Sequence, residues 1–213
     1  MDKNTTAAGA LRMQCLAKAL EGNNFNVVCL DSKEQVIPAL EKLIRKGETV
    51  SVGGSMTLFE CGVIDWLRGC GCQFHDRYAP GLTPEQTADI FRGAFTDDVY
   101  LTSTNAVTEA GELVNMDGNG NRVAAMLFGP KRVIVIAGMN KLVADVPAAF
   151  ARIREVAAPA NALRLGLSTP CAATGRCMNC DLPGKICRKA TIMGSQGDKQ
   201  RVTVILVNEV LGY

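Results

Sequence analysis

Cys171, Cys177, Cys180 and Cys187 follow the pattern C-x5-C-x2-C-x6-C in the segment CAATGRCMNCDLPGKIC. Thiolates are soft donors, and four of them converging fill a tetrahedral zinc site or hold a [4Fe–4S] cluster. The glycine and proline residues between the cysteines supply the turns a short loop needs to aim several side chains at one point. The spacing suits both groups and does not separate them. Zinc would clip the loop, whereas a cluster would also carry electrons. Four reduced thiols in a plain loop are the bland alternative. No histidine lies in the segment, and no fifth ligand accompanies it, which argues against a hydrolytic zinc centre.

A second set of candidates lies in loops that follow apolar strands. Gly53-Gly54-Ser55-Met56-Thr57 links a strand to a helix, where glycine permits close backbone approach and free amides face an anion. The loop is neither G-x-G-x-x-G nor a Walker A sequence, so it implies no nucleotide cofactor; a tight strand-to-helix turn is the competing reading. The segment from Thr102 to Gly111 offers four hydroxyls, an amide and the carboxylate of Glu109, a candidate acid, base or nucleophile. A solvent-facing glutamate is the simpler alternative. Asp117-Gly-Asn-Gly-Asn121-Arg122 begins like a calcium loop, but Arg122 replaces the required glycine and Phe128 stands where the closing glutamate belongs. A turn that directs Asn121 and Arg122 inward fits better. Lys141 follows a buried strand and could reach the same cleft. His75, the sole histidine, has no G-x-S-x-G elbow to serve.

The elements that must position these residues read as alternating helices and strands. Residues 5–21 form an amphipathic helix on Leu11, Cys15, Leu16, Ala19 and Leu20. Strands are expected at 25–30, 49–52, 72–75, 99–103, 112–116, 132–137 and 202–207. Ser32 with Gln35, and Thr83 with Gln86, are capping boxes; the second has proline at the first helical position. A helix over 58–68 is interrupted at Gly62. Asp145 caps a helix running to about Val156, with Pro159 marking its end. RVIVIA (132–137) is apolar throughout, as in a strand buried on both faces. The pattern predicts a single α/β domain over 1–213: an open, mostly parallel sheet with helices on both faces and a cysteine-rich segment at 169–190. In such sheets ligands bind beyond the strands' carboxyl ends, which brings 53–57 and 102–111 together. The quartet is expected apart from those loops. Cys15 and Cys29 read as core residues.

Composition narrows the function classes. With 23 basic and 21 acidic residues the charge is near balance, and aromatics are 5%, so neither phosphate-backbone attraction nor base stacking favours nucleic acid. No apolar run is long enough for a membrane span. The N-terminal stretch lacks a signal peptide's apolar core, so a cytoplasmic location is expected and the nine cysteines point to ligation or reactivity rather than disulfides.

VSVGGSMTL (50–58), the long central run from Asp97 to Val143 and TPCAATGRCMNCDLPGKIC (169–187) together resemble the LUD (lactate utilization) domain family, formerly DUF162. The resemblance implies a Rossmann-like fold of the NagB/RpiA/CoA-transferase type, with a cleft at the strands' carboxyl ends for a small anionic metabolite. Gly53, Gly54, Ser55 and Thr57 match the anion-binding loop. Asn105, Thr108, Glu109 and Gly111 match the T-E-x-G signature, and Asn121, Arg122, Asn140 and Lys141 match later polar positions. In CoA transferases of this fold a glutamate accepts the acyl group, which by analogy makes Glu109 the catalytic candidate. Some members serve systems that oxidise L-lactate alongside iron–sulfur proteins, which implies redox partner proteins. The chain lacks the C-x2-C-x2-C-x3-C-P pairs of cluster-bearing members. The expectation is a protein of lactate or related 2-hydroxy-acid utilization with an iron–sulfur centre. The alternative is a metabolite-binding or transferase-type domain with structural zinc.

Overall fold

The computed structural model describes residues 3–213. The chain opens with α1 (Lys3–Gly22), β1 (Asn26–Leu30), α2 (Val36–Leu43) and β2 (Thr49–Val52). Next come α3 (Met56–Glu60), α4 (Val63–Gly69), β3 (Gln73–Phe74), α5 (Pro84–Gly93) and β4 (Val99–Thr102). The middle of the chain gives β5 (Ala106–Thr108), β6 (Leu113–Asp117), α6 (Asn121–Phe128), β7 (Arg132–Gly138) and β8 (Leu142–Val143). The last third holds α7 (Val146–Arg152), α8 (Ala158–Arg164), α9 (Pro170–Thr174), β9 (Lys189–Met193) and β10 (Val202–Val207).

Six strands form a wholly parallel sheet in the order β1-β10-β7-β4-β2-β3. Its central pair is β7 and β4, and the apolar runs of β7 and its other neighbour β10 are buried almost end to end. Because successive side chains point to opposite faces, each strand feeds two cores. Val133, Val135 and Ala137 of β7 join Val202, Val204 and Leu206 of β10 beneath Met13, Leu16 and Leu20 of α1 and Met126 of α6. Ile134, Ile136, Ile205 and Val207 face the other way, onto Leu40 of α2, Leu58 of α3 and Ile64 and Leu67 of α4. This is the open parallel sheet with helices on both faces that the sequence predicts. Gly62 (φ 68°) breaks the helix between α3 and α4. Thr83 and Gln86 cap α5 reciprocally, at 3.2 and 2.9 Å.

Three features depart from the sequence reading. The stripe of α1 that is buried is Met13, Leu16 and Leu20, while Leu11, Cys15 and, on the edge strand β1, Cys29 are exposed. The overlapping stripe with the larger apolar side chains removes more area from water. Residues 113–117 do not enter the parallel sheet. They belong to a second sheet, β8-β5-β6-β9, in which β6 runs antiparallel to both β5 and β9. The short turn between β5 and β6 enforces that direction, because a parallel partner needs a long crossover. Finally, Pro159 does not end the helix begun at Asp145. A π-helical stretch, Ile153–Ala157, leads directly into α8, with Pro159 in its first turn where a missing N–H costs little.

Candidate active-site cleft

The carboxyl ends of β2, β4 and β7 open into a cleft of about 300 Å³. Gly54 and Ser55 follow β2, Ser103, Thr104 and Asn105 follow β4, and Lys141 follows β7. Arg77, just beyond β3, forms one side. β6 of the second sheet contributes Asp117, the start of α6 contributes Arg122, and the continuous α7–α8 segment contributes Asn161 and Arg164. The π-helical stretch that carries the chain past Pro159 sets Ile153 and Ala157 in this wall.

Lys141 lies at the floor, 2% exposed. Its Nζ donates to Ser103 Oγ at 2.7 Å and to Thr57 Oγ1 at 2.9 Å. Among the described residues no carboxylate pairs with it. Burial disfavours the ammonium form, and Arg152 and Arg122 add repulsion, so its pKa falls to about 7. At neutral pH this lysine is poised between donor and acceptor of a proton.

Arg122 is consumed by the protein. It donates to Ser103 O (3.2 Å), Asn115 Oδ1 (2.5 Å), Asn105 Oδ1 (3.1 Å) and Met116 O (3.0 Å), and lies 3.6 Å from Asp117. It ties the loop after β4 to β6 rather than waiting for a ligand. Arg77 is the contrast. Its guanidinium stacks 4.4 Å from the Phe91 ring and 5.4 Å from that of Tyr78, and among the described residues it has no carboxylate or hydrogen-bond partner. The lining holds three arginines (Arg77, Arg122 and Arg164), the partly protonated Lys141 and one carboxylate, Asp117, already committed to Arg122. The field in the cleft favours an anion.

Of the residues picked out from sequence, Gly54, Ser55, Asn105, Asn121, Arg122 and Lys141 line this cleft. The others stand behind it or away from it. Gly53 packs where a Cβ would lie 2.5 Å from Thr102 Oγ1. Thr57 holds Lys141. Asn140 clamps the chain's end, donating to Gly212 O at 3.1 Å and accepting from the Leu211 N–H at 3.1 Å.

The T-E-x-G signature is a packing turn. Gly111 (φ 80°) lets the β5–β6 turn touch α1, since a Cβ there would lie 2.8 Å from the backbone of Ala19 and Leu20. Asn23 Nδ2 donates to Ala110 O and Gly111 O across the contact. Thr108 Oγ1 bonds the Glu112 carboxylate at 2.9 Å. Glu109 is 60% exposed, 3.5 Å from Arg12 and outside the cleft lining. His75 is also outside it, 3.0 Å from the buried Asp97 carboxylate. Sequence reasoning did not single out Ser103, Arg77, Arg164 or Tyr213. Ser103 carried a usable signal as the first residue beyond β4. Arg77 lies three residues beyond β3, a strand the sequence does indicate, but no pattern singles it out from its neighbours.

The sequence reading sets the cysteine segment apart from the cleft; the structure instead places Ile186 and Cys187 in its wall. Cys171 sits on α9, 3.3 Å from Thr169 Oγ1, and Cys177 accepts from the Asn179 N–H at 3.4 Å. Burial raises the Cys187 thiol pKa, and the charges of Cys177, Cys180 and Cys171 raise it further, so the four share one neighbourhood. Among the described residues no three metal-binding side chains meet at a common coordination point. The donor set fits a four-thiolate centre in kind and number.

Residues 13–207 match the family described as the LUD domain. No curated protein matches the sequence. Among solved structures, a DUF162 family protein from Deinococcus radiodurans shares the fold with a TM-score of 0.56 at 15% identity, over 93% of this chain and 98% of that one. With the family match covering all but the ends, the chain belongs to the LUD-domain family.

Proposed function

We propose that this LUD-domain protein binds a small metabolite of the 2-hydroxy-acid class through its carboxylate, in lactate-type utilization, with a metal centre held by the cysteine quartet in the cleft wall. The observation that carries the reading is the charge imbalance of the lining, three arginines and a partly protonated lysine against one committed carboxylate. Arg77, free of any carboxylate, is the anion's anchor: its planar fork suits a carboxylate, and stacking on Phe91 holds it in place. Asn105 and Asn121 offer neutral hydrogen bonds along the same lining. Lys141 takes or returns a proton at Nζ through Ser103 Oγ, and its burial keeps that proton from bulk water.

Cys171, Cys177, Cys180 and Cys187 would hold an iron–sulfur cluster, which supplies one-electron transfer when bound. The position of Cys187 in the cleft wall favours this over structural zinc, since a clip that only fixes a loop has no need to border the substrate site.

Calorimetric titration with L-lactate, pyruvate and phosphate tests the anion site. Arg77→Ala is expected to weaken the best ligand by roughly 10-fold or more, the cost of losing a charged hydrogen-bond partner. Equal affinity in the variant would remove the anchor. Anaerobic purification followed by metal analysis tests the quartet: iron with broad visible absorption is expected, and Cys180→Ser should lose it. Stoichiometric zinc would overturn the redox half of the reading and leave the binding half standing.

A further inference from the structure

The Ser103–Lys141 pair has the geometry of an activated nucleophile, a chemistry that anion binding alone does not need. Ser103 and Lys141 both border the cleft, with Lys141 Nζ 2.7 Å from Ser103 Oγ. A third group, Thr57 Oγ1, holds the amine at 2.9 Å from the far side. Nucleophile, base and orienting group in hydrogen-bonding sequence are the signature of covalent catalysis on any fold. The serine itself is fixed: it directly follows β4, and Arg122 binds its carbonyl oxygen. The groups facing Lys141 from neighbouring elements are Arg152, Arg122, Glu60 and Cys61, and none bonds its Nζ. In its neutral form the amine can accept, across that 2.7 Å contact, the hydroxyl proton that Ser103 otherwise offers to Thr104 O at 3.4 Å.

We propose that Ser103 is an acyl-accepting nucleophile and Lys141 its base, so that the cleft cleaves small esters or thioesters carrying a carboxylate. Ser103 Oγ bonds to the acyl carbon as its proton passes to Lys141 Nζ, and the carbonyl π pair moves onto oxygen. The tetrahedral centre collapses, the carbon–sulfur or carbon–oxygen bond breaks, and the leaving group takes the proton from Lys141. Water then attacks the seryl ester, giving its proton to Lys141. Ser103 leaves with that proton, and a free acid is released. The cationic lining stabilises the oxyanion of both steps. The preference for a carboxylate rests on the anion site proposed above; the nucleophile does not.

The test uses p-nitrophenyl acetate and mono-p-nitrophenyl succinate with the intact protein. A burst of p-nitrophenolate and an acyl adduct on the Ser103 peptide by mass spectrometry are expected, with an acylation rate that rises through about pH 7 as Lys141 deprotonates. Ser103→Ala removes both. Lys141→Met lowers the acylation rate by at least roughly 10²-fold, in the range for loss of a general base. If Lys141→Met does not fold, the adduct's absence in folded Ser103→Ala and the wild-type pH profile decide the matter. An adduct on a cysteine, no adduct at all, or an unchanged rate in folded Lys141→Met overturns the proposal. Faster reaction of the succinyl ester supports the anion site; equal rates would sink that site and leave the nucleophile intact.

Discussion

The floor of the cleft and the cysteine segment in its wall hold their reactive groups by different means. On the floor, Lys141 and Ser103 are almost wholly buried, bonded to each other, and backed by Arg122 and Thr57. Residues 175–188, which carry three of the four cysteines, contain no helix or strand, and their side chains are mostly exposed. The floor is fixed by the protein's own packing, so its chemistry is present as soon as the chain folds. The cysteines are gathered in one neighbourhood without being locked, which suits groups whose final arrangement is set by what they bind.

Glycine substitutions put that difference to the strongest test. At Gly53 a methyl group would press within 2.5 Å of Thr102 Oγ1 and 3.1 Å of the Arg122 side chain. Both neighbours are committed to the floor, so Gly53→Ala is expected to cost about 1–3 kcal/mol by overpacking. At Gly184, in the cysteine loop, nothing lies within 4 Å. Gly184→Ala should stay within about 0.5 kcal/mol of wild type. Urea denaturation of the two variants compares them directly, and similar midpoints would erase the distinction.

A smaller effect concerns pH. Lys141 has its pKa lowered from 10.5 to about 7 on folding. Below about pH 7 both folded and unfolded chains carry the proton, and the cost of burying the charge is fully present. Above it the unfolded chain keeps a proton that the folded chain has released, so stability rises with pH until the unfolded lysine also deprotonates. The Cys61 thiol, raised to about 11, works in the opposite direction above its ordinary 9.0. Between pH 6.5 and 8.5 the lysine acts with little interference. Wild type should gain roughly 1–2 kcal/mol over that interval relative to Lys141→Met. A constant difference between the two proteins would mean that Lys141 stays charged on the floor.

The same division marks what could be read from the sequence. RVIVIA and VTVILV marked buried strands of the sheet because alternation into two cores calls for apolar residues on both faces, and all but Arg132 and Thr203 are apolar. The loops after β2 and β7 were legible for a topological reason, since parallel strands end on one edge. The second sheet was not. β5 and β8 have three and two residues, and no periodicity survives at that length. Pro159 read as a helix end because the sequence does not announce a π-helical stretch before it. The quartet's spacing was plain, but its position beside the cleft depends on β9 pairing with β6, a contact that no local pattern encodes.

The smallest predicted effect falls on the residue that looked most chemical. Glu109 stands in the longest motif of the chain, yet its carboxylate is 60% exposed and faces Arg12, with side chains 57% and 60% open to water. Exposed pairs of this kind contribute about 0–1 kcal/mol. Its neighbours explain the motif without it: Thr108 secures Glu112, and Gly111 admits α1. Glu109→Gln should therefore shift stability by no more than about 0.5 kcal/mol and leave both ligand affinity and the acylation rate of Ser103 unchanged. A loss of acylation beyond roughly 10-fold, more than 1.4 kcal/mol in the barrier, would show that the turn reaches the reacting groups. The floor would then extend through α1 to the second sheet, and packing alone would no longer account for the T-E-x-G turn.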